Sequence, residues 1–164
     1  CGRQPTPTYT GVKSGNRCGY CFPGGVDYKL PGILYLIQNL ELGAGKIGIQ
    51  TYNSKRLRTH QNNGWIIQNL WIARTGEQAH AAEQSVKAKL RHELMARTIV
   101  PAETMPVGGH TETFLLTEVS TESVRAAMEE TIVNRKNDLE PLTPQQFKSN
   151  QFFDWVESEL LESN

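Results

Sequence analysis

The spacing of apolar residues changes several times along the chain, and each change marks an element. Arg3 to Arg17 is polar and rich in turn residues (Pro5, Pro7, Gly11, Gly15), with too little apolar surface for a core. Pro23-Gly24-Gly25 closes this stretch and Pro31-Gly32 opens the next. Ile33-Leu34-Tyr35-Leu36-Ile37 predicts a strand, Asn39 to Gly45 a turn, and Lys46 to Gln50 a second strand, so the three form a hairpin. Thr51-Tyr52-Asn53-Ser54 offers helix-capping side chains before a short helix from Lys55 to Gln61, which Gly64 ends. Trp65 to Ala73 is apolar on both faces, which predicts a third, central strand.

The longest helix is expected from Thr75 or Gly76 to about Arg97. Ala79, Ala82, Val86, Leu90 and Leu94 recur at three and four and make one buried stripe. Glu83 lies on or beside that stripe, where a carboxylate is costly without a partner. Ser120 or Thr121 caps a further helix from Glu122 to Asn134, with Val124, Met128 and Ile132 on one face. After Asn137, Asp138, Pro141 and Pro144, residues Gln145 to Glu162 form a last helical stretch carrying Phe147, Phe152, Phe153, Trp155 and Val156.

Composition narrows the class. The 164 residues are 38% hydrophobic and 21% charged, low in apolar content but globular. The longest apolar run, five residues from Ile33, is far short of the ~20 that a membrane helix needs, and no signal-peptide pattern or repeat occurs. Net charge is zero but uneven. Residues 1–62 hold eight Lys/Arg against two Asp/Glu, and residues 63–164 hold nine against fifteen, giving halves of +6 and −6. The basic half suits a polyanion. The acidic half suggests a tail that opposes non-specific binding of that polyanion.

The three cysteines are Cys1, Cys18 and Cys21, an odd number. Cys18-Gly-Tyr-Cys21 is a knuckle that brings two thiolates onto one Zn²⁺, and Cys1-Gly2 reads as the trailing half of a second knuckle whose first cysteine lay upstream. A segment so poor in hydrophobes needs a staple to fold. Free thiols and a redox pair are the alternatives. Together with Gly11 to Arg17, these residues resemble the zinc-ribbon or treble-clef fingers appended to bacterial nucleases. The resemblance implies a structural Zn²⁺ and DNA-backbone contacts from Lys13 and Arg17. The fourth ligand has no match.

The middle of the chain resembles the GIY-YIG nuclease domain over residues 31 to roughly 115. Gly32-Ile33-Leu34-Tyr35 stands for the first motif and Lys46-Ile47-Gly48 for the second. The Lys55 to His60 helix has the family's Arg followed by His four residues later, at Arg56 and His60, and Glu83 falls where the family places its metal-binding Glu. Two departures stand out. Tyr35 is one residue later than the usual spelling, and a one-residue slip on a strand reverses the face that a side chain takes. Lys46 replaces a Tyr. The family's late Asn has no match, although Gly109-His110-Thr111-Glu112 lies in that region.

The resemblance implies roles. Glu83 binds Mg²⁺ or Mn²⁺ as Lewis acid. Arg56 forks onto a phosphate. Tyr35 assists proton removal from water, helped by Lys46, and His60 donates or relays a proton. Lys55 and Arg58 grip the DNA backbone.

The expected fold is therefore α+β, a small central three-stranded antiparallel sheet flanked by helices. Residues 1–27 are a finger, 31–118 the nuclease-like domain, and 119–164 an acidic helical extension. The expected function is a metal-dependent DNA endonuclease, in restriction, phage defence or mobile-element cleavage, cytoplasmic and of bacterial or phage origin. Alternatives are a zinc-dependent nucleic-acid-binding module that keeps the fold without catalysis, and a subunit active only in a larger assembly. DNA is the expected partner, a membrane is not, and the C-terminal helices would support a homodimer or larger assembly. A start at Cys1 rather than Met suggests a missing N-terminal segment.

Overall fold

The structure, a computed structural model, describes residues 26–98, 100–134, 139–149 and 151–161. The expected finger, with Cys1, Lys13, Arg17, Cys18 and Cys21, lies outside the described residues.

The fold is α+β, built on one antiparallel sheet. β1 (Gly32–Asn39) and β2 (Ala44–Thr51) form the expected hairpin, in unbroken register from Gly32↔Thr51 to Asn39↔Ala44. β3 (Ile66–Ala73) pairs on the other side of β1, with a register shift at Leu36/Ile37. The sheet has five strands rather than three, in the order β4-β2-β1-β3-β5. β4 (Thr113–Leu115) extends it beyond β2, and β5 (Leu139–Leu142) extends it beyond β3. β1, not β3, is therefore the central strand. The additions are three and four residues long, too short for a period to show. Pro141 is tolerated in β5 because an edge strand can spare one N–H donor.

Side-chain alternation divides the core in two. Leu34 and Leu36 of β1, with Ile47 and Ile49 of β2, face α2 (Gly76–His92) and α3 (Thr121–Asn134), meeting Ala79, Ala82, Val86 and Leu90, then Val124 and Met128. Ile33, Tyr35 and Ile37 face the opposite way. They pack with Leu57 of α1 (Arg56–Asn62), Val100 and Met105, and Phe152, Val156 and Leu160 of the C-terminal segment.

Local chemistry sets most helix boundaries. Thr75 caps α2 with a full capping box to Gln78, as its position predicts. α2 ends at His92, five residues before the expected end, because Met95 takes a φ of +51° and the Ala96 N–H turns back to the Leu90 carbonyl. Ser120 Oγ accepts from the Ser123 N–H at the start of α3. The final stretch is not one helix. Thr143 caps the short α4 (Pro144–Lys148), Ser149 is extended, and α5 (Gln151–Trp155) leads into a π-helical turn, Val156–Leu161. Among the described residues, no helix is long and apolar enough to cross a membrane.

Residues after 118 are thus part of the sheet and of both cores, so their removal would unfold the domain rather than unmask a binding surface. The buried Met128 and Phe152 report on the two faces. Met128→Ala and Phe152→Ala are each expected to cost about 2–5 kcal/mol by urea denaturation, against less than about 0.5 kcal/mol for the exposed Met95→Ala.

Candidate active site

The site forms where β4 stops covering the sheet edge. β4 pairs only with Ala44, Gly45 and Lys46, and β2 runs on to Thr51. Two cavities open there. One, of about 280 Å³, is lined by Tyr28, Ile49, Arg56, His80, Glu83, Gln84, Gly109 and Glu112, with Val26 at its edge. The other, of about 560 Å³, is lined by Ser54, Lys55, Arg56, Thr59 and the backbone turn Val107-Gly108-Gly109. Arg56 and Gly109 belong to both walls.

Tyr35 lies directly across from Gly48 in the hairpin register, so it shares a face with Lys46, Gly48 and Gln50 and with α1. The late position of Tyr35 in its motif therefore does not turn it away from Lys46. Its ring crosses the sheet over Gly48, where a Cβ would lie 2.5 Å from the phenol oxygen, so only glycine admits it. The phenol is fully buried, and among the described residues it has no hydrogen-bond partner. Burial pushes its pKa above the usual value. Arg56 pulls it down, and Glu83 and Glu112 push it further up.

Lys46 is fully buried, and its ammonium donates to the Gly109 carbonyl at 2.6 Å and to Glu112 at 3.3 Å. Burial lowers its pKa to about 8 despite the opposing pull of Glu112. Arg56 opens α1 and donates from Nη2 to the Gly108 carbonyl at 2.7 Å. One turn later, the fully buried His60 packs its ring between Tyr35 (centroids 6.1 Å apart) and the edge of Trp65 (5.9 Å). Burial, then Lys46 and Arg56, hold the imidazole neutral down to a pKa of about 3, and among the described residues neither ring nitrogen has a partner.

Glu83 comes from α2, on the other face, and meets the α1 residues at the β2 edge. It accepts from Gln84 at 3.3 Å, and among the described residues no cation lies within 4.0 Å of it. Burial raises its pKa, Glu112 adds to the rise, and Lys46, Lys87 and Arg56 oppose it. Such a carboxylate, in an open polar cavity, fits a hard cation that keeps most of its waters. Among the described residues there is no group of three or more His, Cys, Asp or Glu side chains placed to hold a metal ion.

The five expected chemical residues, Tyr35, Lys46, Arg56, His60 and Glu83, thus meet in one region. Lys55 lines the larger cavity, while the exposed Arg58 lines neither. Two contributors were not foreseen. Gln50 accepts from the Leu57 N–H at 2.7 Å and donates to the Ser54 carbonyl at 3.3 Å, so the strand itself caps α1 and fixes Arg56 and His60 relative to β2. Glu112 binds Lys46, Lys87 (3.0 Å) and the Thr111 hydroxyl (2.7 Å). Burial alone would raise its pKa, but Thr111, Lys46 and Lys87 bring it down to about 2.

These shifts set an acid limit on stability. An unfolded chain takes up a proton on His60 near pH 6.5 and the native chain near 3, so stability falls as pH drops through that window, by at most about 1.4 kcal/mol per unit. Glu112 adds its loss only below about pH 4.5, and His80 shifts in the same direction as His60. Urea midpoints measured from pH 7 to 5 are expected to fall. In His60→Phe part of that slope should disappear, and an unchanged slope would show that His60 is not buried neutral.

Comparisons of this chain with protein-family models, with curated proteins and with solved structures found no match.

Proposed function

We propose that the protein is a metal-dependent phosphodiesterase that cleaves nucleic acid, DNA in the first instance. The observation that supports it most is the shared cavity of Glu83 and Arg56: a carboxylate and a guanidinium line it together at an open sheet edge, with the buried Tyr35, Lys46 and His60 nearby. A phosphodiester needs this combination, because its cleavage must neutralise charge on phosphorus while a proton leaves the attacking water.

In the reaction, a water oxygen bonds to phosphorus, one ester P–O bond breaks, and the departing oxygen takes up a proton. A divalent cation held by Glu83 would polarise the phosphoryl group as a Lewis acid. Arg56, which lines both cavities, binds the phosphate and stabilises the charge that develops there. The Lys46 ammonium has three donors, and Gly109 and Glu112 take two of them. The third holds the attacking water or a phosphate oxygen. Tyr35 keeps its proton, since its pKa is raised, and acts by donating a hydrogen bond rather than as the base. His60, held neutral by burial, is a weak proton acceptor and no imidazolium acid, so it packs against the Tyr35 ring behind the site and the proton of the attacking water leaves to solvent. Lys55, with the hydroxyls of Ser54 and Thr59, provides the larger cavity with a grip on a neighbouring phosphate. Cys1, Cys18 and Cys21 would supply thiolates to a structural Zn²⁺, and Lys13 and Arg17 are the basic residues of that segment that would meet the DNA backbone.

The test is supercoiled plasmid incubated with the full chain in Mg²⁺, Mn²⁺ or chelator. Metal-dependent nicking is expected. Glu83→Ala should abolish it while DNA binding stays equal or tightens, because a negative charge near phosphate is gone. Arg56→Ala should slow it by about 10²–10³-fold. DNA binding without cleavage in any metal would overturn the hydrolase and leave the non-catalytic binding module.

A further inference from the structure

Glu112 and Gly109 stand outside the five residues that carry the proposed chemistry, yet Lys46 and Lys87 bond to them and Arg56 bonds to the adjoining Gly108 carbonyl. Glu112 is contributed by the turn before β4, and its side chain is only 13% exposed. One carboxylate oxygen faces Lys46 of β2, and the other accepts from Lys87 of α2 and from the hydroxyl of Thr111. The same turn presents two backbone carbonyls in succession. Gly108 O receives Arg56, and Gly109 O receives Lys46. Arg91 anchors the segment from behind, donating to the Thr111 and Thr113 carbonyls at 2.6 and 3.0 Å.

Gly109 adopts a φ of +97°, in the left-handed region that side chains avoid. A Cβ there would lie 2.5 Å from Glu112 Oε2, 2.6 Å from Lys46 Nζ and 2.9 Å from Arg56 Nη2. All three neighbours are the far ends of flexible side chains. An added methyl group would therefore strain the backbone and displace those three charged heads.

From this geometry we infer that Glu112, with the backbone turn at Gly108-Gly109, is the positioning element of the site: it holds the Lys46 ammonium in place while the adjoining carbonyls hold Lys46 and Arg56 to the same turn. Its catalytic consequence rests on the hydrolase reading, while the placement of Lys46 does not. Glu112 touches no reacting atom in this scheme. Among the described residues it and Gly109 take two of the three Lys46 N–H donors, which holds the ammonium still. A misplacement of about 1 Å at such a group is enough to lose about 100-fold in rate.

Two readouts test this on the full chain. The first is the ¹H–¹⁵N signal of the Lys46 ammonium, which burial and two acceptors should protect from exchange, assigned by its loss in Lys46→Met. The second is single-turnover cleavage at saturating DNA, with DNA affinity and the urea midpoint measured beside it. In Glu112→Gln the ammonium signal is expected to vanish or shift and the rate to fall about 100-fold, with DNA affinity within about threefold of the parent. Glu112→Asp, which keeps the charge, should recover part of both. Gly109→Ala should remain folded and reproduce the Glu112→Gln losses. A signal or a rate unchanged in folded Glu112→Gln overturns the inference, as does a rate that falls only in proportion to the folded fraction. If the parent chain cleaves nothing, the hydrolase reading fails and the ammonium signal alone decides the placement of Lys46.

Discussion

A lysine ammonium cannot be buried without acceptors, and the site is organised around meeting that demand. Lys46 is on β2 with no exposed surface, and moving such a charge out of water costs several kcal/mol unless donors and acceptors are matched. The Gly109 carbonyl and Glu112 supply the acceptors, which requires the segment from 106 to 112 to fold over the sheet edge. Glu112 in turn draws in Lys87 from α2, and the neighbouring Gly108 carbonyl receives Arg56 from α1. One buried charge thus links β2, both helices beside it and the turn leading into β4. Lys46, Glu112, Lys87 and the Gly109 carbonyl form one network, and removal of Glu112 leaves both lysines short of an acceptor.

A second constraint is steric. The Tyr35 phenol crosses the sheet only because Gly48 opposite has no side chain. Gln50, two residues further along the same face, caps α1 through the Leu57 N–H and so places His60 against Tyr35. Lys46, Gly48 and Gln50 therefore do three different jobs at consecutive positions on one face of one strand: charge, clearance and anchorage. The result includes two buried polar groups, the Tyr35 hydroxyl and the His60 imidazole, that have no hydrogen-bond partner among the described residues. Buried polar groups are rarely left so, each costing about 1–3 kcal/mol, and they are concentrated where water, substrate or chemistry uses them.

Much of this was legible in the sequence, because it rests on local signals. A continuous β-prone apolar run marked β1, Lys46 to Gln50 read as β2, Thr75 marked the start of α2, and the stripe from Ala79 to Leu90 marked its buried face. Glu83 stood out as a carboxylate on that stripe. What escaped rests on partners distant in the chain. β4 and β5 have three and four residues and exist because β2 and β3 offer open edges, so no local periodicity announces them. The early end of α2 depends on the left-handed Met95, a conformation that the residue type does not suggest. Glu112 was visible only as an acid in a turn. Its importance comes from Lys46, 66 residues away. The Gly108-Gly109 pair before it was the one available hint, since paired glycines mark backbone that must take unusual conformations or lie close to other groups.

The central claim is that one cation held by Glu83 and one phosphate held by Arg56 occupy neighbouring positions at the β2 edge. A crystal structure with Mn²⁺ and a duplex carrying a non-hydrolysable phosphorothioate linkage tests it most directly, because manganese is located by its anomalous signal. The account expects manganese at the Glu83 carboxylate and a phosphate of the duplex at Arg56. Manganese absent from Glu83 while the duplex lies elsewhere on the surface would contradict it.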